Sequence, residues 1–189
     1  MATYVIQTLW NQDIKKLDTF LIDKIEKVCN DFDSLSFLGL YEPIIENWEW
    51  TYFIRCKGLV EWGQYLDRLM KNIPVVASRE NRVFAKYYKS ETDISKAPEY
   101  LEIELMLWDK PYQGLYEYYQ YVADVFSEFD DAWFLGGYGP ANEPYTVASF
   151  LGYDRMEMID IVDDRLYSEI KRPEQMNLSI ERLYRKYSL

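Results

Sequence analysis

The spacing of apolar residues changes several times along the chain, and each change predicts a new element. YVIQTLW (4–10) is rich in β-formers and predicts a strand. Ile14, Leu17, Leu21, Ile25 and Val28 then recur at helical spacing, which predicts an amphipathic helix over about 13–31, with Asn11 or Asp13 as its cap. SLSFLGLY (34–41) predicts a second strand, with Pro43 helping to end it. In WEWTYFIRC (48–56), alternation puts Trp48, Trp50, Tyr52, Ile54 and Cys56 on one face and Thr51, Phe53 and Arg55 on the other. Gly58 breaks that strand. Leu66, Leu69, Met70 and Ile73 restore the helical period over 59–73, and RVFAKYY (82–88) predicts another strand. The order is β-α-β-β-α-β.

The rest of the chain has the same order. LEIELMLW (101–108), AWFLGGY (132–138), YTVASFLG (145–152) and SIERLYRKY (179–187) predict strands, with helices over 112–128 and about 155–170. The likeness extends to individual residues. FDSLSFLGLYEP (32–43) and FDDAWFLGGYGP (129–140) share seven of twelve positions at an offset of 97. At that offset Phe53 meets Phe150, Asp67-Arg68-Leu69 meets Asp164-Arg165-Leu166, and Tyr87 meets Tyr184. Upstream, Leu9-Trp10 meets Leu107-Trp108 after one insertion or deletion. One register held over so many separated positions indicates an internal duplication. The polar stretch KSETDISKAPE (89–99) suits a linker. The expected organisation is a first repeat over 1–90, a linker over 91–98 and a second repeat over 99–189.

A β-α-β-β-α-β unit is a ferredoxin-like split βαβ module, with both helices on one face of its sheet. The second sheet face also carries large apolar residues, Phe53 among them, and needs cover. Two such sheets placed face to face would supply it. The expected fold class is therefore α+β, two ferredoxin-like repeats packed sheet to sheet as an α+β barrel. On these tandem halves the chain resembles the dimeric α+β barrel superfamily, in the single-chain arrangement of chlorite dismutase-like proteins. The resemblance spans nearly the whole chain and is architectural. It implies a haem enzyme, a cofactor-free monooxygenase or isomerase, or a ligand-sensing module. The haem members of the chlorite dismutase type use a proximal histidine. This chain has no histidine, so the expectation is no cofactor.

Composition narrows the classes further. Of 189 residues, 49% are hydrophobic and 17% aromatic, enough for a real core. The formal charge of −11 disfavours nucleic acid and anionic membrane surfaces as partners. No apolar run has the length of a membrane span, and no secretory leader is visible. Cys29 and Cys56 form no motif and read as reduced thiols, which places the protein in the cytoplasm. Without histidine, any acid–base chemistry falls to carboxylates, tyrosines, lysines, arginines or a thiol.

Several residues are candidates on these terms. Aromatics of the middle strands, Tyr41, Trp50, Trp133 and Tyr138, are expected to line a pocket for a small apolar or aromatic ligand, although such residues are also ordinary core. Arg55 and Arg155 are candidates for holding or stabilising negative charge, although a paired surface arginine would look the same. Glu102 and Glu104 share one face of a strand. Glu104 is the candidate general base if that face lines a cavity, and part of a wet edge if it does not. Asp160, Asp163 and Asp164 share a helix face, as solvated acids commonly do, so no metal site is expected. Arg182, Arg185 and Lys186 form a basic cluster suited to an acidic surface of another subunit, compatible with a homo-oligomer. The leading expectation is a small-molecule-binding protein. The alternatives are a cofactor-free enzyme on an aromatic or apolar substrate and a structural or oligomerisation module without ligand.

Overall fold

The computed structural model of the chain describes residues 4–10, 19–44, 50–72, 79–88, 96–108, 114–140, 146–169 and 176–186. Its elements follow the duplicated order. They are β1 (Tyr4–Trp10), α1 (Thr19–Asn30), β2 (Leu35–Pro43), β3 (Trp50–Cys56), α2 (Leu59–Asn72) and β4 (Arg79–Tyr88). Then come β5 (Tyr100–Trp108), α3 (Leu115–Phe126), β6 (Ala132–Pro140), β7 (Thr146–Tyr153), α4 (Glu157–Glu169) and β8 (Met176–Lys186). The fold class is α+β, with two ferredoxin-like repeats. The proposed caps of the first helix, Asn11 and Asp13, lie outside the described residues. The chain divides into two compact units, residues 1–85 with 187–189, and residues 86–186.

In the first unit the strands are ordered β4-β1-β3-β2, and every pairing is antiparallel. The alternation read from the sequence decides which side chains meet the helices. Ile6, Tyr52, Ile54 and Cys56 lie under α1 and α2 with Ile25, Val28, Cys29, Trp62, Tyr65 and Leu69, and Trp50 packs against this core. Val5, Gln7, Thr51, Phe53 and Phe84 belong to the opposite face, which is buried as well. The second unit has the order β8-β5-β7-β6, again antiparallel throughout. Its helix-covered core holds Met106, Trp108, Tyr118, Tyr119, Val122, Phe126, Phe134, Val147, Leu151, Tyr153 and Val162.

The two units repeat one another in detail. Gly39 and Gly136 both sit at a register shift, and both have positive φ, 132° and 126°. L side chains rarely adopt that backbone, so the repeated phrase keeps glycine there because the bulge demands it. Beside the bulges, Tyr41 meets Phe53 edge to face at 5.7 Å, and Tyr138 meets Phe150 in the same way at 4.8 Å. Arg68 pairs with Asp31 at 2.9 Å, and Arg165 with Glu128 at 2.7 Å. Each of these matches keeps the offset of 97.

The strand register corrects two alignments. Tyr4 pairs with Cys56, and Tyr100 with Tyr153, the residue equivalent to Cys56. Tyr4 is therefore the counterpart of Tyr100, and Leu9-Trp10 corresponds to Leu105-Met106 rather than to Leu107-Trp108. The shared Leu-Trp pair had suggested an offset of 98 where hydrogen bonding gives 96. Val5 pairs with Phe84 and its counterpart Leu101 pairs with Tyr184, so Tyr184 matches Phe84 and not Tyr87.

Candidate functional site

The corrected register makes each unit an internal control for the other. Where one fold is built twice, a residue the fold itself requires should recur. On the helix-covered face the second unit departs sharply from the first. Glu102 and Glu104 occupy the places of Ile6 and Thr8. Ser149 and Tyr153 stand where the first unit has Tyr52 and Cys56, and Tyr118 and Tyr119 align with Leu21 and Ile22.

These residues form one buried polar array. Tyr100, Glu102, Glu104, Met106 and Trp108 alternate onto the same side of β5, under α3 and α4. Glu102 is only 6% exposed and Glu104 only 3%. The Tyr153 hydroxyl donates to Glu102 Oε2 at 2.8 Å, and the Tyr118 hydroxyl donates to Glu104 Oε2 at 3.2 Å. Ser149 pairs directly with Glu104 across the β5–β7 ladder, and its buried Oγ has no hydrogen-bond partner. Burial pushes the Tyr118 and Tyr153 hydroxyls well above the usual phenol range, and the neighbouring Glu104 and Glu102 charges push further. Both phenols therefore stay protonated and act as donors.

Aromatic rings surround the array. Trp108 lies 6.0 Å from Tyr118, and Tyr153 lies 5.9 Å from Phe126, centroid to centroid. The Tyr119 ring lies flat on β6. A Cβ on Gly137 would come within 2.2 Å of it, so glycine is what admits the ring. The first unit has Leu40 and Ile22 at these two places, and Leu40 is core there. Where the first unit has two aliphatic residues of equal size, the strand position has shrunk to glycine and the helix position has grown to tyrosine. The Tyr119 hydroxyl crosses to the Ala148 carbonyl at 3.2 Å. Tyr88 joins this core, with its hydroxyl on Gln120 Oε1 at 2.8 Å.

The residues singled out from the sequence are dispersed by this geometry. Glu104 lies in the array. Trp50 packs under the helices of the first unit, whereas Tyr41 and Arg55 belong to the other face of that sheet, so the sheet itself separates them. In the second unit Trp133 and Tyr138 lie on the face of β6 away from α3. The Trp133 ring carries Lys96 Nζ at 3.9 Å from its centroid. Arg155 is 62% exposed and ion-paired with Asp131 just beyond the end of β7, so an inward, charge-stabilising Arg155 is not what the fold builds. The pairing of Glu102 with Tyr153, and the roles of Tyr118 and Ser149, were not anticipated. Their signal was present as polar residues at positions where the other repeat is mostly apolar, but reading it required the correct offset for β1 and β5.

Neither thiol and neither array tyrosine fits haem as an axial ligand. Candidate replacements for the missing histidine are tyrosine oxygen and cysteine sulfur. Burial pushes the Cys29 thiol up to about 12 and the Cys56 thiol up to about 11, against thiolate formation. The Tyr118 and Tyr153 hydroxyls are held protonated on carboxylates. Among the described residues, no group of three or more histidine, cysteine, aspartate or glutamate side chains is disposed to hold a metal ion.

The chain has an α+β fold of two ferredoxin-like repeats, and solved structures of other proteins share it. Among solved structures it is similar to a double mutant of chlorite dismutase from Candidatus Nitrospira defluvii, with a TM-score of 0.71 and 8% identity over 98% of this chain and 92% of that one. It is similar also to a chlorite dismutase-like protein, TA0507, with a TM-score of 0.71 and 9% identity over 99% of this chain and 96% of that one. A monooxygenase-like protein, FN1347, from Fusobacterium nucleatum follows, with a TM-score of 0.68 and 7% identity over 98% and 91%. Compared with family sequence models and with curated protein sequences, the chain finds no match.

Proposed function

We propose that the protein binds a small apolar or aromatic molecule at the array of the second unit, with Glu102 and Glu104 as its polar handles. The observation that supports this best is the pair of buried carboxylates, absent from the equivalent places of the first unit. Burying carboxylates is costly even when they are hydrogen-bonded, and the sister unit closes the same layer with Ile6 and Thr8. An acid that the fold does not need points to a ligand. The aromatic surround of Trp108, Tyr118, Tyr119 and Tyr153 suits a flat apolar body, and the two carboxylates suit hydrogen-bond donors on its edge. The two free thiols and the long acidic composition suit a cytoplasmic protein. Among the described residues no helix is long and apolar enough to cross a membrane.

Titration with phenol, aniline and indole, read by tryptophan fluorescence, tests the proposal. Saturable quenching is expected, lost in Trp108→Phe and weakened about tenfold in Glu104→Gln. Arg155→Ala should bind like the parent. No saturable change with any of the three, or a response indifferent to both Trp108 and Glu104, refutes it.

A catalytic use of the same array is the second reading, favoured by the direct hydrogen bond from Tyr118 to Glu104. A carboxylate that accepts from a phenol can take a proton from a bound substrate while the phenol steadies the charge. Turnover of a bound aromatic without added cofactor, abolished by Glu104→Gln with binding retained, separates catalysis from simple binding.

A further inference from the structure

Tyrosine rings of the second unit form a connected series from solvent to the buried array. Tyr116 on α3 is 57% exposed. Its ring lies 5.2 Å from that of buried Tyr88, centroid to centroid. Tyr88 lies 6.0 Å from Tyr119, and Tyr119 lies 5.8 Å from Tyr118. These are the separations of rings in direct contact. The first unit builds the equivalent helix without them. Thr19, Leu21 and Ile22 stand at the places of Tyr116, Tyr118 and Tyr119. The fold therefore does not require phenols on this helix.

The hydroxyls of the series are not equivalent. Tyr88 donates to Gln120 Oε1 at 2.8 Å, and Tyr119 donates to the Ala148 carbonyl at 3.2 Å. An amide oxygen accepts a hydrogen bond but is too weak a base to take the proton. Tyr118 donates to a carboxylate, Glu104 Oε2, at 3.2 Å. A carboxylate can take the proton itself. That difference decides where an electron is lost. A phenol gives up an electron readily only when its proton leaves in the same step, because a positive charge left on a buried ring is costly. Within this series Tyr118 is the ring best able to lose an electron and remain as a neutral radical. It is also only 6% exposed, so that radical is shielded from solvent.

We propose that Tyr118 is a redox-active tyrosine, oxidised from the surface through Tyr116, Tyr88 and Tyr119. The oxidant is a one-electron acceptor of the organic peroxyl radical class. It takes one electron from Tyr116 and one solvent proton, and leaves as a hydroperoxide. The electron is replaced from within, by Tyr88, then Tyr119, then Tyr118. Tyr118 passes its proton to Glu104 as its electron leaves. The products are a neutral phenoxyl radical on Tyr118, a neutral Glu104 carboxyl and the hydroperoxide. No bound ligand takes part, so this role stands or falls apart from the binding reading.

The test uses the full chain with photogenerated tris(bipyridine)ruthenium(III) as the one-electron oxidant. Radicals are followed by transient absorption and by EPR of frozen samples. A long-lived tyrosyl radical is expected, and its formation should be slower in D2O. Tyr118→Phe should lose it. Glu104→Gln still accepts the hydrogen bond but not the proton, so the long-lived signal and the D2O effect should both vanish. Tyr88→Phe keeps a ring and cuts the relay. The radical should then stay on exposed Tyr116 and end as dityrosine between molecules, read by its fluorescence. A long-lived signal that survives Tyr118→Phe, as one on Tyr153 would, overturns the proposal. So does a signal indifferent to Glu104→Gln. Should Tyr118→Phe fail to fold, Tyr88→Phe decides the matter, and an undiminished long-lived signal in that variant overturns the proposal.

Discussion

If the acids of the second unit serve a ligand and not the fold, removing one together with its donor should stabilise the protein. The perturbation is Glu102→Ile with Tyr153→Phe, which gives β5 the residue of the first unit. Tyr153 is wholly buried, and its hydroxyl reaches Glu102 Oε2 at 2.8 Å. Tyr153→Phe by itself deletes a hydrogen bond to a buried carboxylate and should cost about 1.5–3 kcal/mol. Adding Glu102→Ile removes the charge as well and fills its place with a branched apolar side chain in a layer that already holds Trp108, Phe126, Leu151 and Val162. Replacing a buried ionic group by a hydrophobic one of similar size is neutral or stabilising by about 1–4 kcal/mol. The double variant should thus be at least as stable as the parent and clearly above Tyr153→Phe. In a chain of this length each kcal/mol moves Tm by about 2–4 °C, so urea midpoints and thermal melts both resolve the order. The reasoning fails if the double variant is less stable than Tyr153→Phe alone, because Glu102 would then be a structural acid. The same variant should lose the fluorescence response to aniline, and a variant that is more stable yet still binds would separate stability from the site.

Two further outcomes follow from the structure. The thiols Cys29 and Cys56 have pKa values raised on folding, to about 12 and about 11, mainly by burial. Their contribution is fully present below pH 9 and is lost as pH rises, by about 1.4 kcal/mol per thiol per pH unit between pH 9 and 11. Urea midpoints should fall steeply over that window, and Cys29→Ala should flatten the slope. A midpoint constant from pH 8 to 11 contradicts this. Gly39→Ala and Gly136→Ala both force a side chain onto a backbone with φ near 130°, and each should cost about 1–3 kcal/mol by urea unfolding. A cost at only one of the two would show that the matched bulges are not equivalent.

The amino-acid sequence by itself determined the duplicated βαββαβ order, the α+β class and the positions of nearly all elements. These depend on periods of 2 and 3.6 and on turn residues, which are local properties of the chain. The matches of Gly39 with Gly136, Tyr41 with Tyr138 and Phe53 with Phe150 were also legible in the repeat, whereas the bulges and the edge-to-face ring pairs at those positions came from the structure. Tertiary structure alone decided which side of each strand lies under helices. On β5 one alternating set, Tyr100-Glu102-Glu104-Met106-Trp108, carries two acids and the other, Leu101-Ile103-Leu105, is wholly apolar, so periodicity would turn the acids outward, whereas the helices of this unit cover the acid-bearing side. For that reason the surroundings of Glu104 could not be read in advance, nor could the sheet between Trp50 and Arg55. Arg155 is a similar case, since a cation beside a strand end reads alike whether it turns inward or meets Asp131. The offset of 96 in β1 came from hydrogen-bond register, which no side-chain match encodes. That register made Glu102 comparable with Ile6, and Glu104 comparable with Thr8.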